Sequence, residues 1–170
     1  MPMPPDIRLA TARPDDAEAI LAVHRAAIRG TAADFYPPEI IEAWAPLPIR
    51  HAHVEALALR IENGIEEAVV ARARGVGIVG FGSFVPDRRE LRAVYVHPDY
   101  GRKGIGAAML AALERRARRY GLRELVMDAS LNAEAFYRSH GFAVERTGEH
   151  VLGGGLRMAC IRMRKPLGGH

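Results

Sequence analysis

Cysteine is almost missing from this chain, with Cys160 alone in 170 residues. That excludes an internal disulfide framework and suits a reducing cytoplasm. A lone thiol of this kind reads as a small apolar residue rather than a nucleophile. Long apolar runs are missing too, since none approaches the ~20 residues that cross a bilayer. The opening Met1-Pro2-Met3-Pro4-Pro5 has neither the basic start nor the apolar centre of a secretion signal. There is no G-x-S-x-G elbow and no G-x-x-x-x-G-K-[ST] loop, so serine-hydrolase and P-loop chemistries are excluded. His51-Ala52-His53 with His150 lacks the carboxylate or cysteine cluster that a metal site needs, and no metal is expected. No internal repeat or low-complexity tract occurs.

What is present describes an ordinary globular chain, with 49% hydrophobic and 26% charged residues. At this length one domain, residues 1–170, is expected, burying roughly 70% of its unfolded surface and needing no covalent staples. The formal charge of +4 allows nucleic acid or acidic partners without demanding them. Phosphate-bearing ligands explain it equally well.

The most informative stretch runs from Leu91 to Arg119. Leu91 to Val96 is rich in β-branched and aromatic residues and reads as a strand, which His97-Pro98-Asp99 ends. A loop with Gly101, Gly104 and Gly106 follows, and then a helix whose Ile105, Met109 and Leu113 recur on one face beside Leu110 and Ala117. The first turn of a helix carries N–H groups without partners at the positive end of its dipole. Glycines beside it let a phosphate approach the backbone, and Arg102 and Lys103 add charge.

V-x-V-x-P-x-Y followed by G-R-K-G-I-G and an amphipathic helix resembles the acetyl-CoA site of the GNAT superfamily of N-acetyltransferases. The likeness rests on Val94, Val96, Pro98, Tyr100, Gly104, Ile105, Gly106, Met109 and Leu110. The family signature R/Q-x-x-G-x-G/A has its first position at Gly101, with the arginine one place later at Arg102. Backbone amides are therefore expected to carry the diphosphate. A second segment, Asn132 to Phe142, reads N-x-x-A-F-Y-x-x-x-G-F and resembles the family's N-x-x-A-x-x-F-Y-x-x-x-G-F pattern with two residues fewer between the alanine and the phenylalanine. The resemblance implies an α/β (α+β) fold, a mixed and mostly antiparallel sheet of six to seven strands flanked by helices on both faces. It implies acceptor-side helices over about 15–62, an acetyl-CoA-binding core over about 66–142 and C-terminal strands over about 142–167. Coenzyme-binding residues expected from it are Val94, Tyr95, Val96, Arg102, Lys103, Gly104, Ile105, Gly106, Ala107, Asn132, Phe136 and Tyr137.

The rest of the chain is read more coarsely. Ile7 to Leu9 suggests a first strand, and Asp15 is a good N-cap for a helix reaching Arg29, with His24 packed on or beside its apolar stripe. The proline-interrupted stretch from Gly30 to Pro48 holds Phe35, Tyr36 and Trp44. Phe35 and Trp44 are assigned to the core and Tyr36 to the substrate pocket. Helices are expected at Pro38–Trp44 and Ile49–Ile61, then strands at Glu66–Arg74 and Val76–Val85. Gly75-Val76-Gly77-Ile78-Val79-Gly80 fits G-x-G-x-x-G letter for letter, but no helical periodicity follows it, so it reads as a hairpin and a glycine-bearing strand. Arg115, Arg116, Arg118 and Arg119 crowd the end of the central helix, where cations suit the dipole. They raise a nucleic-acid reading, but a charge run on a helix is more often a solvated face. Leu125 to Met127 reads as a buried strand, Asn132 to His140 as a short helix, and Phe142–Glu145 and Arg157–Arg164 as the last two strands.

The implied reaction is direct acetyl transfer from acetyl-CoA to a primary amine of a small molecule or peptide in the cytoplasm. Tyr137 is the expected general acid, since a phenol can protonate a departing thiolate at modest cost. A backbone N–H of the Val94–Val96 strand is the expected carbonyl donor. Glu90 and His97, with Asp87 or a water chain, are the candidate bases. The competing class is a catalytically silent acyl-CoA-binding or nucleic-acid-contacting module on the same fold. A monomer and a homodimer both remain compatible with the sequence.

Overall fold

The computed structural model describes residues 2–168. Its strands are β1 (Ile7–Thr11), β2 (Glu67–Ala73), β3 (Gly77–Val85), β4 (Glu90–Val96), β5 (Glu124–Ser130), β6 (Ala143–Val151) and β7 (Arg157–Pro166). They form one sheet in the order β1-β2-β3-β4-β5-β7-β6. Neighbours are antiparallel except β4 and β5, which run parallel. The helices are α1 (Ala17–Thr31), α2 (Pro38–Trp44), α3 (His51–Glu62), α4 (Ile105–Arg119) and α5 (Glu134–Ser139).

The two faces of the sheet carry separate cores. On one, α4 contributes Ile105, Met109 and Leu113, and α5 contributes Tyr137, against Val69, Ala71, Leu125 and Met127. On the other, Ile20 and Val23 of α1 and Leu57 of α3 meet Val70, Phe81 and Ala93. A third cluster joins the end of α1 to α2 and β7 through Ile28, Tyr36, Ile41 and Met158. This is the expected mixed sheet with helices on both faces, and it has seven strands.

In the G-x-G-x-x-G look-alike, Gly75 and Gly77 take positive φ in the hairpin turn with open space around them, and only Gly80 serves packing, joined by Gly82 beyond the motif. A Cβ at Gly80 would stand 3.1 Å from Met109 Cε, and one at Gly82 would stand 2.7 Å from Leu113 Cδ1 and 3.0 Å from the Ala93 carbonyl. Bare backbone at these two positions lets α4 lie close on β3. That closeness sets where the N-terminus of α4 emerges.

Local details differ from the sequence reading. Pro14–Asp16 forms a 3-10 turn, so α1 starts at Ala17, and the Asp16 carboxylate accepts the Arg13 N–H at 2.8 Å. Helix α3 begins at His51 rather than Ile49 because Arg50 is still extended. Strand β6 runs on to Val151, far beyond Glu145. All nine of its residues are exposed, so no apolar alternation marks its length. Phe35 is not core but 51% exposed. The arginine run of α4 is partly committed to its own chain: Arg116 donates to Thr11 Oγ1 at 2.6 Å, and Arg118 Nε donates to the Leu167 carbonyl at 2.8 Å. No described helix is long and apolar enough to cross a membrane.

Replacing Gly82 by Ala should destabilise the protein by about 1–3 kcal/mol, because the new methyl meets a buried leucine and a carbonyl that cannot retreat together. Gly80→Ala should cost less, since the flexible end of Met109 can turn away. Urea unfolding midpoints test this, and a Gly82→Ala midpoint equal to wild type would refute close helix–strand packing as the reason for the glycine.

Candidate active site

Strands β4 and β5 share a single register pair, Glu90 with Val126, where the Val126 N–H donates to the Arg89 carbonyl at 2.9 Å. Beyond it they part. The His97 N–H is bonded to the Val79 carbonyl at 2.8 Å. Alternation along an antiparallel ladder then gives the Tyr95 amide to β3 and turns those of Val94 and Val96 toward β5, where no strand meets them. Arg92 is the extra residue of a bulge, since Ser83 faces Ala93 and Phe84 faces Leu91. Two cavities open along this parting, of about 420 Å³ and 310 Å³, and both are lined by Arg92, Tyr95, Asp128 and Ser130.

The larger cavity lies over the start of α4. Gly104 caps that helix in the left-handed region at φ 78°, and Arg102 before it has φ 60°. Among the described residues no protein carbonyl takes the amides of residues 102–107. Their N–H groups therefore meet the cavity at the positive end of a 15-residue helix. Gly106 faces the Phe136 ring, which would lie in ordinary contact, 3.5 Å from a Cβ there. Across the cavity, Asn132 Oδ1 is buried without a hydrogen-bond partner, while its Nδ2 stands 3.5 Å from Thr31 Oγ1. Tyr137 is 4% exposed, with its ring edge-on to Phe136 and Phe142. Burial first, and then Tyr95, pushes its phenol well above the ordinary tyrosine range, so it stays protonated.

Most of the expected coenzyme residues converge here. Val94, Tyr95 and Val96 line the cavity from β4. Arg102, Gly104, Ile105, Gly106 and Ala107 line it from the loop and helix, and Asn132, Phe136 and Tyr137 from the far wall. Lys103 does not: its ammonium lies over the Tyr100 ring, 5.2 Å from the centroid.

The smaller cavity opens on the opposite face of β4. Glu90 lines it with Nε of Arg92 at 3.9 Å. Glu66 is buried in its wall, accepting from Ser83 Oγ at 2.6 Å and from Arg60 Nε at 2.9 Å. Trp44 faces this cavity and is not wholly core, and Tyr95 and Phe81 stack beside it with centroids 5.5 Å apart. Cys160 lies in the same wall with its thiol pushed up, by burial first and then by Asp128, and so stays protonated.

Asp87, His97 and Tyr36, like Lys103, fall outside both cavities. His97 follows β4 and accepts the Asp99 N–H at Nδ1 at 3.1 Å, capping a short turn. The Tyr36 hydroxyl donates to the Ala159 carbonyl at 2.6 Å and accepts from the Leu131 N–H at 2.8 Å. It braces β7 to the residue after β5 and lines neither cavity, so the expected pocket position is not seen. Conversely, Arg92, Asp128, Ser130, Thr31 and His24 line cavities without having been singled out for that. The signal available for Asp128 was a charged residue in the middle of an apolar strand: Leu125, Met127 and Ala129 enter the core, and Asp128 takes the other face.

A family model described as an acetyltransferase (GNAT) domain matches residues 33–167. Among solved structures, a GCN5-related N-acetyltransferase from Rhodopseudomonas palustris superposes with a TM-score of 0.83 at 31% identity, over 98% of each chain. PaiA N-acetyltransferase from Thermoplasma acidophilum, solved in complex with coenzyme A, has the same fold with a TM-score of 0.77 at 23% identity, over 94% of this chain and 98% of that one. The spermidine N(1)-acetyltransferase of Thermoplasma acidophilum is 25% identical over 138 residues, 78% of this chain and 86% of its own.

Two outcomes follow from the walls. His24 titrates near 3 in the folded state against 6.5 when free, through burial and then the charge of Arg25. Between those values the unfolded chain holds a proton that the folded chain does not, so stability falls as pH drops through this window. Wild type should lose roughly 2 kcal/mol between pH 7 and pH 5 from this group, and His24→Phe should lose that much less; equal pH slopes in urea unfolding would contradict the burial. Tyr36→Phe should cost about 1–3 kcal/mol by stranding the Leu131 N–H, and an unchanged midpoint would contradict the brace.

Proposed function

Because the chain belongs to the GNAT acetyltransferase family, we propose that it transfers an acetyl group from acetyl-CoA to a primary amine of a small molecule or peptide. The observation that carries this reading is the pair of cavities meeting at Arg92, Tyr95, Asp128 and Ser130 between the parted ends of β4 and β5. One cavity has the donors for a diphosphate and the other has a carboxylate for an ammonium.

The residues present fit the coenzyme. The free amides of residues 102–107 suit a diphosphate. The unpartnered Asn132 Oδ1 calls for a donor, which the amides of a pantetheine arm provide. Bound acetyl-CoA supplies an acyl group already activated as a thioester. The protein's part is positional and electrostatic. The Val94 or Val96 N–H donates to the acyl oxygen as charge gathers there. Glu90 receives the acceptor's ammonium proton, delivering a neutral amine across the junction of the cavities.

Tyr137 donates to the sulfur. Even at ordinary values a phenol lies about 1.5 units above a thiol, roughly 2 kcal/mol uphill for full transfer, and the burial of Tyr137 widens that gap. Its contribution is therefore a hydrogen bond that strengthens as the thiolate forms, with transfer completed as the amine nitrogen gives up its remaining proton.

Calorimetry with acetyl-CoA and a thiol-release screen over an amine panel test the reading. Absence of binding at millimolar coenzyme would overturn it, and binding without turnover on any amine would favour the silent acyl-CoA-binding alternative. Tyr137→Phe should lower kcat about 10²-fold or more with coenzyme affinity kept, and unchanged turnover would remove Tyr137 from the reaction. Glu90→Gln should lower kcat/KM most at neutral pH, where the amine arrives protonated; a loss equal at every pH would argue against Glu90 as proton acceptor.

A further inference from the structure

His24 stands in the acceptor-side wall, on the face of α1 turned to the sheet. Its ring is edge-on to Tyr95 at 5.0 Å and to Trp44 at 6.5 Å. Tyr95 also lines the coenzyme-side cavity, so His24 is one ring away from the junction. Its Nδ1 lies 2.8 Å from Nη1 of Arg25, and Arg25 is 6% exposed and tied through Nε to the Pro46 carbonyl at 3.2 Å. A guanidinium has donors only. Nδ1 must therefore hold a lone pair, and the neutral imidazole carries its proton on Nε2. Burial, and then the charge of Arg25, keeps the ring neutral, with a pKa of about 3.

Among the described residues the Nε2–H has no protein acceptor. It is not sealed either, since the one sealed side-chain polar atom without a partner is Asn132 Oδ1. It opens on the cavity that the ring lines, and an unmet donor there asks a ligand for an oxygen. The carboxylates of the same cavity limit the ligand's positive charge. Glu66 is taken by Ser83 and Arg60, and Asp128 has Arg162 Nη1 at 3.2 Å. Glu90, whose nearest cation is Arg92 at 3.9 Å, is the carboxylate left for an ammonium. Ile20, Leu21, Leu57 and Phe81 make much of the remaining wall apolar.

Resting on the acetyltransfer reading above, we propose that His24 is a specificity-determining residue that donates its Nε2–H to a carbonyl oxygen of the acceptor. The cavity thereby selects an apolar or aromatic monoamine with a carbonyl a few bonds from the amine, as in an amino-acid amide or a peptide N-terminus, and selects against polyamines. A second ammonium would bring only donors to a wall that already offers one.

Three probes separate the cases: L-phenylalaninamide, 2-phenylethylamine, which lacks the carbonyl, and spermidine. Wild type should acetylate phenylalaninamide with kcat/KM at least tenfold above phenylethylamine, with spermidine the poorest. His24→Phe keeps a ring in the wall and removes the donor; it should erase most of the tenfold preference through KM, with kcat far less affected. His24→Gln, which restores a donor, should recover part of it. Equal losses on both aromatic amines, or spermidine ranking first in wild type, would overturn the proposal. A second readout needs no turnover. In ¹⁵N-labelled wild type with coenzyme A, His24 should be the Nε2–H tautomer, and its resonance should move on adding phenylalaninamide and not phenylethylamine. An Nδ1–H tautomer or identical responses would also overturn the proposal. A selective shift without acetylation of any amine would defeat the acetyltransfer reading alone, and acetylation without selectivity would defeat this proposal alone.

Discussion

The parting of β4 from β5 after the Glu90–Val126 pair is the constraint on which the site depends. A parallel pair normally continues its ladder, because amides left between two buried strands lose solvent hydrogen bonds without replacement. Here the strands diverge far enough for cavities to reach those amides, so they are open to a ligand and not orphaned. Two features hold the arrangement. The bulge at Arg92 turns β4 where the ladder ends, and Tyr36 ties the residue following β5 to β7 on the far side. Tyr36 touches none of the reacting groups in the proposed reaction, whereas Arg92 lies 3.9 Å from Glu90 and lines both cavities.

Strand alternation then divides the work of β4. Val94 and Val96 pack toward α4, and Ala93 and Tyr95 toward α1 and α3. One strand thus supplies a wall to each cavity, and its backbone is the partition between them. The close seat of α4 on Gly80 and Gly82 brings the helix N-terminus to the same gap, which gives these glycines of β3 a geometric part in the proposed diphosphate site without any contact of their own.

The legible parts of the sequence were those governed by short-range rules. The stripe of α4, the glycine loop, the strand before it and the Asn132–Phe142 segment are all local patterns, and their residues converge on one cavity except Lys103, which folds over its neighbour Tyr100. The neighbours of His97 hide a simpler use: a histidine two residues before Asp99 can cap the turn it begins. Tyr36 and Phe35 lie in a proline-broken stretch without periodicity, so nothing in the sequence distinguished the buried ring from the exposed one. The contributions of α1 and β5 depend on which helix face crosses which strand. Thr31, His24 and Asp128 reach the cavities only through tertiary approach, and no local spacing encodes that.

Two polar atoms left unsatisfied by the chain say more about ligands than its net charge does. Most charges around the acceptor-side cavity are paired within the protein, Glu66 with Arg60 and Asp128 with Arg162, so the sum of charges there predicts little. Asn132 Oδ1 is a buried acceptor without a donor, on a residue that lines the larger cavity. The His24 Nε2–H, fixed by Arg25, is a donor without an acceptor, facing the smaller one. A sealed polar group without a partner, as Asn132 Oδ1 is, costs about 1–3 kcal/mol, and a ligand that supplies the partner recovers it. The two cavities therefore ask for opposite things, an N–H on the coenzyme side and an oxygen on the acceptor side. In the reaction proposed above, this complementarity sends the two substrates to different sides of β4.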